Sequence, residues 1–96
     1  MEEFVLYNEL YDLYGELLTD KQREYFEDYY FNNLSFSEMA ENYGVSRNAI
    51  FKQIHIVTDK LNEYERILQL KSKREKILKL LEENNIAIKD KIEDLL

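Results

Sequence analysis

The sequence has no cysteine, no proline and only two glycines among its 96 residues. The absence of cysteine excludes disulfide bonds and thiolate metal sites. Because so few residues interrupt a helical backbone, the composition predicts helix along almost the whole chain. No apolar run approaches the length that crosses a membrane, and no signal peptide opens the chain. We therefore expect a cytoplasmic protein that does not contact a membrane.

Basic residues are also scarce, with 13 against 20 acidic ones and a formal net charge of −7. Most of this excess lies in residues 1–20, which contain six acids and no base. The densest basic segment is KSKREKILK, residues 71–79, with five bases against one acid. Because phosphate binding depends on local charge, such a segment can bind nucleic acid in spite of the acidic total.

Helix-start and helix-stop signals divide the first 70 residues. Apolar residues at three- and four-residue spacings in residues 2–14 predict an amphipathic helix, which Gly15 interrupts. The segments TDKQ (19–22) and SFSE (35–38) are capping boxes and predict the starts of a second and a third helix. Ser46 is the predicted N-cap of a long fourth helix, which we expect to reach Leu70 or beyond.

The segment LSFSEMAENYGVSRNAIFKQI, residues 34–54, matches the pattern of a helix-turn-helix. Its two helices cross closely and need a small residue at the crossing, which Ala40 provides. The turn needs one residue with positive φ, which Gly44 provides. An unrelated helical corner is the alternative, since it can share half of this pattern. The predicted inner, apolar positions are Met39, Tyr43, Val45 and Ile50.

The second helix of this motif carries the first set of candidate nucleic-acid-binding residues. Arginine and lysine bind phosphates or guanine edges, whereas asparagine and glutamine suit adenine. The phenylalanine can stack on an unpaired base or pack against a neighbouring helix or a partner subunit. The alternative is an ordinary solvated helix face. The candidates are Arg47, Asn48, Phe51, Lys52 and Gln53.

The basic segment near residue 75 carries the second set, which can form a phosphate-binding strip. The alternative is a charged helix face that solvates an apolar stripe, with an ion pair of helical spacing between Lys71 and Glu75. The candidates are Lys71, Lys73, Arg74 and Lys76.

The chain divides into a helix-turn-helix domain with its N-terminal helix, residues 1–70, and a C-terminal helical tail, residues 71–96. The tail contains more apolar residues than the small domain of residues 1–70, here called the head, requires. We therefore expect the tail to pack on the head or in a homodimer. These residues are Ile77, Leu81, Ile88, Ile92, Leu95 and Leu96. The tyrosines of the first two helices are expected in the core and at its edge.

Catalytic chemistry finds no support in the sequence. It has no nucleophile–base pair and no phosphate-binding loop, and a lone histidine, His55, cannot build a metal site without carboxylates. We therefore expect no enzyme activity, no cofactor, no metal and no small-molecule substrate.

Two resemblances extend this interpretation. Residues 17–54 resemble region four of bacterial sigma factors, which reads promoter DNA. Residues 10–50 resemble the YlxM family of small bacterial proteins more closely, and agreement continues to residue 64. The segment YGELLTDKQREYFEDYY, residues 14–30, is the most distinctive, because it lies outside the generic helix-turn-helix pattern. The resemblance implies an all-α fold: a sigma region-four-like helix-turn-helix bundle with a long C-terminal helical extension.

The YlxM family is associated with the signal recognition particle, partly because its genes lie beside that of the particle's GTPase. The resemblance therefore implies a non-enzymatic accessory or regulatory protein that binds the particle's RNA, its GTPase, or both. One alternative is a transcription regulator that reads duplex DNA through Arg47, Asn48 and Lys52. Another is a protein-interaction module that binds no nucleic acid.

The sequence departs from the family in the segment FKQIHIVTDKL, residues 51–61. Lys52 stands where the family commonly has an acid, and His55, Ile56 and Val57 replace more basic residues. Compared with the family, the first turn of the second helix of the motif, its recognition helix, is therefore more positively charged, and the middle of that helix is more apolar.

Overall fold

The computed structural model describes the backbone of residues 2–84 and 86–95, and the side chains of residues 2–84 and 91–95. Over these residues the chain is all-α, which confirms the predicted fold class. The side chains of Ile88 and Leu96 lie outside the described part. The helices are α1 (Glu2–Tyr14), α2 (Asp20–Tyr30), α3 (Phe36–Tyr43), α4 (Arg47–Leu68), α5 (Leu70–Asn84) and α6 (Ile86–Leu95).

Both predicted capping boxes are present. The Thr19 hydroxyl accepts the Gln22 amide at 3.2 Å, and the Gln22 side chain accepts the Thr19 amide at 3.0 Å. Ser35 and Glu38 make the same reciprocal pair, with both distances 3.1 Å. These bonds satisfy amides that would otherwise lack partners, and so they fix where α2 and α3 begin.

The larger core cluster joins α1, α2 and α4. Its centre is Phe26, whose ring is fully buried and stacks against Tyr11 at 4.2 Å and Tyr30 at 4.4 Å between centroids. The tyrosines of the first two helices are therefore core and core-edge residues, as the sequence predicts. The buried members are Leu10, Tyr11, Tyr14, Leu18, Phe26, Tyr30, Val57 and Leu61.

The smaller core cluster lies at the crossing of α3 and α4 and contains Met39, Ala40, Ile50 and Ile54. Gly44 ends α3 with φ +68°, which confirms its predicted role in the turn. The prediction for Val45 is wrong, because its side chain is 43% exposed. Its amide donates to the Ala40 carbonyl at 3.0 Å, and this turn geometry carries the side chain to the outside.

The fourth helix ends earlier than the sequence predicts. It stops at Leu68 instead of reaching Leu70 or beyond, and Gln69 takes a left-handed conformation with φ +53°. The apolar stripe of the helix fades at the same place, where Leu68 is 41% exposed.

Side chains from two other places hold this break. The Glu65 carboxylate accepts the backbone amides of Lys71 at 3.0 Å and Ser72 at 3.2 Å, so it caps the start of α5. The Tyr14 hydroxyl donates to Glu65 at 2.6 Å and accepts the Leu70 amide at 3.0 Å. One tyrosine of α1 thus ties α4 and α5 together.

The tail contacts the head through its first helix. The N-terminal part of α5 packs on α1, and α6 packs on α5. The ammonium group of Lys71 lies 3.4 Å from Glu9 of α1 and 2.5 Å from Glu75 of its own helix. The division of the chain at residue 70 stays a prediction. None of the helices in the described ranges is long and apolar enough to cross a membrane.

Candidate nucleic-acid interface

The start of α4 presents the first candidate surface. Ser46 caps the helix, and its hydroxyl accepts the Ala49 amide at 3.1 Å. Arg47, Asn48 and Lys52 are all exposed. The opposite side of the helix is anchored by the buried residues of the smaller core cluster. In helix-turn-helix proteins that bind DNA, the N-terminal residues of the second helix are the ones that contact the bases.

Aromatic rings continue this surface. Phe51 is 48% exposed, and its ring meets Phe36 of α3 edge-on at 5.9 Å and His55 at 4.6 Å. The Arg47 guanidinium carbon lies 6.0 Å from the centre of the Phe36 ring. Phe51 therefore packs against a neighbouring helix and still leaves half of its surface open. Gln53 is half-buried.

Two depressions flank Phe51. The first, of about 270 Å³, opens between α3 and the first turns of α4 and is lined by Phe36, Arg47, Asn48 and Phe51. The second, of about 220 Å³, lies where α1, α2, α3 and α4 approach each other. Its lining residues are Glu3, Tyr29, Tyr30, Phe36, Phe51, Ile54, His55 and Thr58.

The structure splits the basic residues of the tail into two faces. Lys71 is ion-paired, and the hydrogen bond to Glu75 raises its pKa against the opposing effect of burial. Arg74 is half-buried and lines the same cleft as Glu9 and Asp12 of α1. Lys73 and Lys76 are exposed.

Two acidic residues of α2 accept hydrogen bonds from tyrosines of neighbouring helices. Glu27 accepts a hydrogen bond from the Tyr11 hydroxyl, and Asp28 accepts one from Tyr43 at 2.5 Å. Burial raises the pKa of Tyr43, and the bond to Asp28 raises it further, so this hydroxyl stays a donor. Among the described residues, no three His, Cys, Asp or Glu side chains come together as a metal site.

Sequence reasoning did not identify Phe36, Tyr30 or Glu3 as neighbours of Phe51. Phe36 has one local signal, because it follows the N-cap Ser35 and so starts α3. Glu3 and Tyr30 lie near Phe51 because α1 and α2 pack on α4. The spacing of residues in the sequence does not predict this packing.

The fold and this surface define a helix-turn-helix protein, because a small residue, a left-handed glycine and a capped second helix occur in the required order. The chain belongs to the UPF0122 family of YlxM- and p13-like helix-turn-helix proteins, whose sequence profile matches residues 1–95. This family is described as a helix-turn-helix family and not as a family of enzymes.

Individual relatives agree with this assignment. The UPF0122 protein of Caldanaerobacter subterraneus subsp. tengcongensis is 41% identical over 81 residues, which cover 84% of this chain and 69% of that protein. The one from Oceanobacillus iheyensis is 44% identical over 84 residues, covering 88% and 80%. The one from Mycoplasma capricolum subsp. capricolum is 38% identical over 98 residues, covering 99% and 87%.

Proposed function

We propose that this protein is a nucleic-acid-binding accessory protein of the signal recognition particle system, and that it binds the particle's RNA. The observation that carries nucleic-acid binding is the capped start of α4, where Arg47, Asn48 and Lys52 are exposed together. Two cations and an amide can bind phosphates and base edges. The resemblance to the YlxM family supports the link to the particle, and its GTPase is the second partner we propose.

A DNA-binding transcription regulator is the second candidate. The same helix start favours it, because a helix-turn-helix reads the major groove with the N-terminal residues of its second helix. We rank RNA first because the neighbouring surface is aromatic, with Phe51 48% exposed, and aromatic rings suit unpaired bases.

Binding to three probes at physiological salt tests the proposal: the cognate particle RNA, an unrelated RNA hairpin of equal length and a random duplex DNA. We expect selective binding to the cognate RNA, and we expect Lys52→Glu to weaken it. Lys91→Glu makes the same charge change on an exposed residue of α6 and is the matched control.

The other outcomes would contradict the proposal in different ways. Selective binding to DNA would favour the transcription regulator. No binding to any probe would favour a protein-interaction module, and the GTPase would then be added as the ligand. Equal effects of both lysine substitutions would place binding away from α4.

A further inference from the structure

An aromatic cavity lies beside the recognition helix. This is the depression of about 220 Å³ between Phe36 and Phe51, and rings form much of its wall. Tyr29 stacks on Phe36 with 4.8 Å between centroids, and Phe36 meets Phe51 at 5.9 Å. Phe51 in turn meets His55 at 4.6 Å. Each ring therefore contacts the next, and the wall of the aromatic cavity is formed without a ligand.

The edge of the aromatic cavity is polar. Tyr30 and Glu3 both line it. Burial raises the pKa of Tyr30, and the negative charge of Glu3 raises it further, so the hydroxyl stays a hydrogen-bond donor. The carboxylate of Glu3 is an acceptor. The Watson–Crick edge of every nucleobase carries both donors and acceptors, so a base that stacks on the wall can meet complementary groups.

Cations lie near Phe51 in the sequence and in the neighbouring depression, although none of them lines the aromatic cavity itself. Lys52 is the residue after Phe51, and Arg47 lies one helical turn before it, with its guanidinium 6.0 Å from the Phe36 ring. The depression that Arg47 lines shares Phe36 and Phe51 with the aromatic cavity, so a strand whose base stacks on Phe51 can reach Arg47 with an adjoining phosphate. A paired base cannot use this wall, because both of its faces are covered by neighbours in the duplex.

We propose that the aromatic cavity binds one unpaired base of an RNA strand, stacked on Phe51, while Arg47 and Lys52 bind the adjoining phosphates. This inference rests on the proposed function and deepens it. It identifies the ligand as RNA with a bulged or single-stranded nucleotide, in place of a continuous duplex.

Three RNA hairpins that differ at one position test this inference: one fully paired, one with a bulged adenosine and one with an abasic bulge. The abasic hairpin keeps the bent backbone and removes only the base. We expect the adenosine bulge to bind more tightly than the abasic bulge by roughly 5- to 150-fold, the effect of one base stacked on an aromatic side chain.

Substitutions then assign the effect to the aromatic cavity. Phe51→Ala should abolish the preference for adenosine over the abasic bulge, and Phe51→Tyr should keep it. Ile56→Ala removes an apolar side chain of similar exposure, 43% against 48%, from the same helix and should leave the preference unchanged. Thermal unfolding of each variant checks that the fold is intact.

The outcomes separate this inference from the proposed function. Equal affinity for the adenosine and abasic bulges, with Lys52→Glu weakening all hairpins, would overturn the inference and leave nucleic-acid binding in place. If the protein binds the random duplex DNA of the first experiment but none of the hairpins, and Phe51→Ala weakens that binding, the inference is overturned and the ring contacts thymine methyl groups instead. No binding of the wild-type protein to any of the three hairpins would overturn the inference, whereas the proposed function is decided separately by binding to the cognate particle RNA.

Discussion

At the scale of single residues, the turn between α3 and α4 depends on Gly44. Its φ of +68° lies in the left-handed region, where a side chain meets the following carbonyl. A Cβ atom added at this position would meet nothing within 4 Å, so packing does not require the glycine. Its backbone conformation alone explains why the sequence needs it.

We predict that Gly44→Ala lowers the free energy of unfolding by about 1–2 kcal/mol, the cost of a left-handed alanine. Gly44→Asn should lose less, because asparagine tolerates this conformation better. Urea unfolding of the two variants measures both effects. Equal losses would indicate that something other than φ sets the requirement.

Glu65 is the second single residue on which the fold depends. Burial raises the pKa of its carboxyl, but hydrogen bonds from Tyr14 and from the Lys71 and Ser72 amides outweigh burial and lower the pKa below its usual range. A carboxyl with a lowered folded pKa stabilises the fold above its unfolded pKa. That stability is lost as the pH falls through the folded pKa.

We predict that Glu65→Gln is less stable than wild type at pH 7 by about 1–2 kcal/mol, since it weakens a charged cap. The difference should shrink as the pH falls below about 4.3, the usual glutamate pKa. Unfolding free energies at neutral and acid pH measure it. Glu63→Gln, which removes an exposed carboxylate paired with Arg66, is the control with a smaller expected effect. A difference that does not change with pH would contradict the assignment.

At the scale of whole helices, the sequence predicts the starts of α2, α3 and α4 but not the break between α4 and α5. The caps at Thr19, Ser35 and Ser46 are local, because side chain and amide are three residues apart, so they can be read without a structure. The end of α4 is not local. It depends on Glu65 and on Tyr14, which lies 51 residues earlier in the chain. The apolar pattern therefore predicted a helix that is too long.

The candidate site also has a part that the sequence predicts and a part that only the structure shows. The cations at the start of α4 could be named from the motif, and Phe51 could be named as an exposed or packed ring. The aromatic cavity could not be named, because α1 and α2 contribute to it only through tertiary packing. The roles of all these residues in binding stay predictions.

The crossing of α3 and α4 gives a prediction at this scale. Ala40 is 9% exposed in the smaller core cluster, so a larger side chain would force the two helices apart. We predict that Ala40→Leu lowers the free energy of unfolding by about 1–3 kcal/mol through overpacking. Asn42→Leu, on the exposed side of α3, is the control. Similar stability of the two variants in urea would show that the crossing has spare room.

At the scale of the molecule, the uneven charge of the sequence has a structural explanation. The acidic helix α1 packs on the basic helix α5, and Lys71 and Arg74 lie on the side that meets Glu9 and Asp12. The positive charges of Lys71 and Arg74 therefore lie close to the negative charges of Glu9 and Asp12. Lys73, Lys76 and Lys79 are exposed and form the part of the basic segment that can bind phosphate.

We predict that changing Lys73 and Lys76 together to glutamine reduces the salt dependence of RNA binding. If each contacts one phosphate, the slope of log K against log salt should fall in magnitude by roughly 1.4 to 1.8. Affinity titrations at several salt concentrations measure the slope, and Lys91→Gln is the control. An unchanged slope would show that neither Lys73 nor Lys76 contacts a phosphate.

The left-handed backbone of Gln69 sets the angle between α4 and the tail. The helix that follows it has 15 residues and is therefore about 22 Å long, so a rotation of 10° at this one residue would move its far end by about 4 Å. The head and the tail helices need not change internally for that to happen. The hydrogen bonds of Tyr14 and Glu65 and the ion pair between Lys71 and Glu9 oppose such a rotation, so these few side chains set the direction of the tail.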